Sequence, residues 1–221
     1  MNNTLGLIIC FAYVFAVIGL AEGLRRWRGY SSSFTRKVIH ISVGMMSWFL
    51  PFLFTSPWPF VAACAAFMVI NLLDWRFGFF NAMQSSNRAN LGTVYFPLAA
   101  AVVALVFWEQ PPLMVAALMP LTWGDGLAPV VGAAYGRNFY HIHTSTRTLE
   151  GSAGFFVAGF VFTWLAMWVM PGLPEITPVQ ALLPALVIMG VTTLIEAVSI
   201  WGLDNLTITA AAILILSVWP F

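Results

Sequence analysis

The stretch Leu113-Met114-Val115-Ala116-Ala117-Leu118-Met119-Pro120-Leu121-Thr122-Trp123-Gly124-Asp125-Gly126-Leu127-Ala128-Pro129-Val130-Val131-Gly132-Ala133-Ala134 decides the fold. A helix needs about 17–25 apolar residues to cross the hydrocarbon core of a bilayer. This run is long enough, and Asp125 is its one ionisable side chain. Outward from it the chain repeats the pattern, with apolar runs at 5–21, 38–54, 58–73, 91–108, 153–170, 179–200 and 206–219. None alternates with period two, so helices are expected rather than a barrel. The runs at 58–73 and 206–219 are short. The reading is therefore an all-α integral membrane protein, a single bundle of about eight transmembrane helices, or seven with a re-entrant piece. No internal repeat, low-complexity segment or soluble domain stands out.

Composition agrees. Of 221 residues, 61% are hydrophobic and 8% charged, and the mean hydropathy is +0.89. Soluble domains carry about 25% charged residues. A net charge of +1 gives no footprint for nucleic acid. Cys10 and Cys64 lie inside apolar runs and read as small buried or lipid-facing side chains, with no disulfide or metal site. No basic residue precedes the first run and a basic cluster follows it, which suits a retained span rather than a cleaved signal.

The connections alternate in character. Segments 55–57, 109–112 and 171–178 are Pro-rich and free of Lys and Arg, whereas 22–37, 74–90 and 135–151 hold all 9 basic residues: Arg25, Arg26, Arg28, Arg36, Lys37, Arg76, Arg88, Arg137 and Arg147. With eight spans these loops, and 201–205, share one side. The positive-inside rule makes that side cytoplasmic and puts both termini outside the cytoplasm. The expected location is the inner (plasma) membrane, multi-pass, with the polar site on the cytoplasmic face.

Groups able to do chemistry gather at the same end. Asp125 sits at membrane depth, where an ionisable group is costly and is by default a functional candidate. Its flanking glycines, Gly124 and Gly126, would let the helix break or a neighbour approach. Gly132 and Gly136, spaced four apart and followed by Arg137, read either as small-residue helix packing or as a backbone turn open to phosphate. Arg147-Thr148-Leu149-Glu150-Gly151-Ser152 marks a helix start, with Thr148 or Ser152 near the cap. Free N–H groups there, beside Arg147, suit a phosphate, and Glu150 could hold a divalent metal or form a surface ion pair. Lys37 and His40 share a helical face. Glu196 closes the seventh run, and Asp204-Asn205 opens the eighth. His141 and His143 read as solvated loop residues. Carboxylates, basic groups, Gly turns and a helix start are what phosphoryl transfer needs. No Walker motif G-x-x-x-x-G-K-[ST] is present, so a nucleotide would be held by membrane helices and their loops.

In this order, Arg36-Lys37-x-x-His40, Gly124-Asp125-Gly126-x-Ala128, Gly132, Gly136, Arg147-Thr148-x-Glu150-Gly151-Ser152, Glu196 and Asp204-Asn205-Leu206-Thr207, the chain resembles the dolichol kinase, phytol kinase and CTP-dependent diacylglycerol kinase family. It looks most like the bacterial phytol kinase branch. The resemblance covers most of the chain and implies a membrane kinase that phosphorylates a lipid alcohol, commonly with CTP. The partners expected on this reading are membrane lipid, an isoprenoid alcohol such as phytol or a polyprenol, and CTP with Mg²⁺. There is room for a homo-oligomer. Asp125 would be a principal Mg²⁺ ligand and Glu150 a second metal-site carboxylate. Arg147 and Lys37 would contact phosphates, and Gly132, Gly136, Arg137, Gly151 and Ser152 would line the phosphate turn and helix start. Asn205 with Asp204 would orient nucleotide or metal, and His40 or Glu196 would accept the alcohol's proton. The family commonly has Lys where this chain has Arg147, so lysine there should be tolerated. Rival readings are a CTP-dependent diacylglycerol kinase, a CDP-lipid synthase, a small membrane transporter with Asp125 as coupling carboxylate, and an assembly subunit with no site.

Overall fold

A computed structural model describes residues 2–83, 90–143 and 145–221; Arg88 lies outside them. The elements in chain order are α1 (Asn3–Arg28), α2 (Ser32–Met45), a 3₁₀ turn (Met46–Phe49), α3 (Leu50–Leu53), α4 (Pro57–Phe77), a second 3₁₀ turn (Asn81–Met83), α5 (Gly92–Phe107) and α6 (Pro111–Met119). A π-helical turn (Pro120–Asp125) then leads into α7 (Gly126–Tyr135), and β1 (Phe139–Ile142), β2 (Ser145–Thr148), α8 (Leu149–Val169), α9 (Pro178–Val198) and α10 (Asp204–Val218) complete the chain. Among the described residues five helices are long and apolar enough to cross a membrane: Asn3–Arg28, Pro57–Phe77, Pro111–Tyr135, Leu149–Val169 and Pro178–Val198. Gly92–Phe107 and Asp204–Val218 are shorter and also apolar. The protein is a helical multi-pass membrane protein. Its outward faces carry Leu20, Val69, Leu194 and Leu214, side chains that hydrocarbon solvates and water does not.

Local chemistry sets the helix ends. Asn2 caps α1 by accepting the Thr4 N–H, and Gly29 ends it at φ 70°, with Arg25, Arg26 and Arg28 in the last turn beside the negative end of the helix dipole. Gly78 ends α4 in the same left-handed conformation. Thr177 and Gln180 form a reciprocal capping box on α9. At the bundle centre α6 is buried on every side from Pro112 to Met119.

The structure adds detail to the sequence reading in three places. Within the polar connection 135–151, β1 and β2 pair antiparallel, Phe139 opposite Thr148 and Ile142 opposite Ser145, a short hairpin on an otherwise all-α bundle. The run at 38–54 is interrupted by the 3₁₀ turn Met46–Phe49, just before Pro51, which sits in the first turn of α3 and has no N–H to continue the ladder. The glycines around Asp125 do not break their helix. It widens into a π turn instead, a local irregularity common at functional sites.

Those glycines serve close packing. A methyl on Gly124 would lie 3.0 Å from the Phe155 ring, and one on Gly126 would lie 2.5 Å from Ile41 Cγ1. Helices α7 and α8 cross on Gly132 and Gly151, where a methyl on Gly151 would sit 2.9 Å from the Ala128 carbonyl oxygen and 3.4 Å from Gly132 Cα. Backbone cannot yield as a side chain can, so Gly151→Ala is expected to cost about 1–3 kcal/mol of stability. Thermal unfolding in detergent checks this; an unchanged midpoint would show that the crossing is looser than described.

Candidate active site

A cavity of about 520 Å³ opens where α2, α5, α8 and α10 begin and α7 and α9 end. Helix starts present unpaired N–H groups and the positive end of the dipole, which can receive an anion, while the ends of α7 and α9 bring carbonyls and the negative end. The cavity has two arms. The polar arm is lined by Lys37, His40, Asp125, Arg147, Glu196 and Asn205. The apolar arm runs between α1, α2, α4 and α5 along Val14, Phe67 and Phe96, with the free thiols of Cys10 and Cys64 in its wall.

Asp125 ends the π turn. Lys37, near the start of α2, donates from Nζ to Asp125 Oδ2 at 2.7 Å and to the Asp125 backbone oxygen at 2.8 Å. His40, one helical turn further on, has Nε2 3.5 Å from the same carboxylate oxygen and 2.8 Å from the Leu121 carbonyl. A carbonyl only accepts, so Nε2 carries the proton and Nδ1 is the ring nitrogen left to take one. The ring packs edge-on against Phe96, centroids 4.7 Å apart, which fixes its plane.

Arg147 approaches from β2. One guanidinium nitrogen pairs with Glu196 on α9, and another donates to the Ser199 carbonyl at 2.7 Å. The hairpin thus ties the end of α9 to the start of α8. Thr148 caps α8 by accepting the Gly151 N–H at 3.0 Å, as the sequence leads one to expect. Tyr140 Oη and Ser152 Oγ are hydrogen-bonded at 2.8 Å, and Phe139 and Thr146 also line the cavity.

On α10, Asp204 Oδ1 accepts from both the backbone N–H and the side-chain amide of Asn205, each at 2.9 Å. That amide also donates to the Gly202 carbonyl at 3.1 Å. Gly202, at φ 82°, makes the turn that presents the pair, since only glycine adopts that conformation freely. Asn205 is 6% exposed, and its Oδ1 has no hydrogen-bond partner. A buried acceptor left unpaired costs free energy and marks a place where a ligand group or ion can bind. Asp204 lies close enough to Asp125 and Lys37 to feel their charges.

With that geometry in view, the comparisons with known proteins are informative. The chain is 28% identical to the phytol kinase of Synechocystis over 222 residues, covering 97% of this chain and 94% of that one. It is also 25% identical to a probable chloroplastic phytol kinase of Triticum aestivum, over 94% of this chain and 74% of the relative. To the chloroplastic farnesol kinase of Arabidopsis thaliana it is 24% identical, over 90% and 70%. This likeness to proteins named as phytol and farnesol kinases supports the polyprenol and phytol kinase family. No protein-family model matches, and no solved structure matches significantly. The similarity to these kinases spans nearly the whole bundle, so the cavity falls within it.

The structure brings Lys37, His40, Asp125, Gly132, Arg147, Gly151, Ser152, Glu196, Asp204 and Asn205 to one cavity. It does not bring Gly136, Arg137 or Glu150 there. The Glu150 carboxylate is taken up by the N–H groups of Arg137 and Asn138 and the Asn138 amide, the last at 2.7 Å. It fastens the turn after α7, and the carboxylates that line the cavity are Asp125, Glu196 and Asp204. Gly132 packs against Thr148 and Gly151, so its spacing to Gly136 reflects helix packing. His141 bonds Thr146 Oγ1 across the hairpin at 3.0 Å. Sequence reasoning passed over Asn71, which lines the cavity and donates to the Thr93 carbonyl at 2.7 Å, joining α4 to α5. A lone amide in an otherwise apolar run was the available signal.

Proposed function

We propose that the protein transfers the γ-phosphoryl group of CTP to the hydroxyl of an isoprenoid alcohol, such as phytol or a polyprenol, with Mg²⁺ and at the cytoplasmic membrane surface. The observation that carries this reading is the two-armed cavity: an apolar arm that solvates a lipid tail leads without interruption into a charged arm that suits phosphates. Similarity to phytol and farnesol kinases along nearly the whole chain supports the same acceptor class. An eight-span topology with both termini extracytoplasmic fits the basic residues that close α1 and α4 and open α2, by the positive-inside rule.

The residues present suit Mg²⁺, which is usually held by one or two carboxylates together with nucleotide phosphates. Asp125 and Asp204 supply the carboxylates, and the unpaired Asn205 Oδ1 supplies a further hard oxygen. Among the described residues no three of His, Cys, Asp and Glu gather as a cage, so phosphate oxygens would complete the set. When bound, the ion neutralises charge on the β- and γ-phosphates.

The chain's own groups do the rest. Lys37 on α2 and Arg147 on β2, both lining the cavity, hold the phosphates. The alcohol oxygen forms the new bond to the γ-phosphorus, the bond to the β–γ bridging oxygen breaks, and CDP leaves. The hydroxyl proton passes to His40 Nδ1, the ring nitrogen free to accept it.

Detergent-purified protein should convert CTP with Mg²⁺ and phytol, geranylgeraniol or farnesol to CDP and the isoprenyl monophosphate, with ATP slower. Release of pyrophosphate on a lipid phosphate would indicate a CDP-lipid synthase instead. Absence of any phosphorylated alcohol with either nucleotide would end the kinase reading.

A further inference from the structure

The apolar arm has a floor. Along α2 and α3 the cavity-lining residues run from Arg36 to Leu50, and along α4 they run from Asn71 back to Phe60. Behind Phe60 stands Phe54, 3% exposed, the two rings 6.2 Å apart; Phe54 itself does not line the cavity. Leu50 is 1% exposed and is held at the first residue of α3, directly before Pro51. Resting on the isoprenoid-kinase reading above, we propose that Leu50 and Phe60, backed by Phe54, form a stop that sets the longest isoprenoid chain the enzyme accepts.

The depth is legible from helix rise. His40 to Leu50 crosses α2 and the 3₁₀ turn, about 17 Å. Asn71 to Phe60 on α4 gives about the same, some 16 Å. An extended chain advances about 3.3–3.6 Å for every three single bonds, so the arm holds about 14 bonds. That is close to the backbone of a twenty-carbon isoprenoid, longer than farnesol needs and far short of a polyprenol. A polyprenol can enter only if the stop is removed or its tail leaves between helices. The inference thus narrows the acceptor to isoprenoids of about fifteen to twenty carbons.

The test is a competition among farnesol, geranylgeraniol, phytol and a long polyprenol. It is read twice, as product ratios under turnover and as bound alcohol by native mass spectrometry without nucleotide. The wild-type protein should disfavour the polyprenol by about tenfold or more. Phe60→Ala should raise the preference for the polyprenol over geranylgeraniol by about tenfold, and Leu50→Ala should do so from the other wall. Ala63 lines the cavity one turn nearer the mouth and is 2% exposed. Ala63→Phe should lower geranylgeraniol relative to farnesol by about tenfold. Length profiles that stay at wild type in active Phe60→Ala and Leu50→Ala proteins overturn the proposal. If no alcohol is phosphorylated, the kinase reading fails, and the bound-alcohol profile still decides whether the stop exists.

Discussion

Asp125→Asn should lower kcat by about 10³-fold or more in a protein that still inserts into the membrane. The substitution keeps shape and removes one negative charge from the centre of the polar arm. Lys37 and Asp125 have side chains 12% and 13% exposed, so water screens the pair poorly. The neutral amide holds a cation far less tightly than the carboxylate does, and it leaves Lys37 Nζ without its charged partner. A buried charge stripped of its partner costs about 3–5 kcal/mol, so a loss of activity alone would confuse chemistry with folding. The double variant Lys37→Met with Asp125→Asn separates them. It should recover the thermal midpoint in detergent and stay inactive. Near-wild-type turnover in Asp125→Asn would remove Asp125 from the chemistry, and recovery of turnover in the double variant would make the pair structural.

Arg147→Ala is the second large effect. Its partner Glu196 has a side chain 9% exposed, and truncation leaves that carboxylate buried and unpaired, costing about 3–5 kcal/mol. Against a typical total stability of about 5–15 kcal/mol, the variant should unfold well below the wild type. Arg147→Lys tests the geometry more finely. The family pattern implies that lysine is acceptable at this position, yet the structure uses the guanidinium as a fork, one nitrogen on Glu196 and another on the Ser199 carbonyl. A lysine ammonium keeps the ion pair and gives up the rigid second contact. The expected cost is about 1.5–3 kcal/mol, the range for hydrogen bonds to charged groups, with turnover retained. Thermal unfolding of the three proteins side by side decides. Equal losses for alanine and lysine would mean that the fork, not the charge, secures α9.

Much of this was legible because the bilayer forces simple rules on a sequence. Apolar length located the helices, and Asp125 stood out because a charge at membrane depth must have a reason. A cap at Thr148 or Ser152 was readable from the junction of a polar loop and an apolar run, and the structure uses Thr148. What stayed hidden depended on contacts between distant segments. Glu150 carries the same carboxylate as Asp204, and nothing local reveals that one reaches for the Asn138 amide while the other faces the cavity. The hairpin was missed because its strands are only four residues each, too short for alternation to show. The fork of Arg147 joins residues 52 positions apart, a pairing that no reading along the chain can supply.

The widened turn at Pro120–Asp125 has one more consequence. An α-helix advances about 100° per residue, and a π turn takes up an extra residue before the ladder resumes. Everything after it is therefore rotated relative to what a straight continuation would present. The first half, α6, can be wrapped on all sides by its neighbours, while the second half lays Gly126 against α2 and Gly132 against α8 and opens Asp125 to the cavity between them. One transmembrane segment thus acts as two differently keyed rods. A one-residue deletion among residues 120–124 would re-key the second rod without removing a single side chain that lines the pocket.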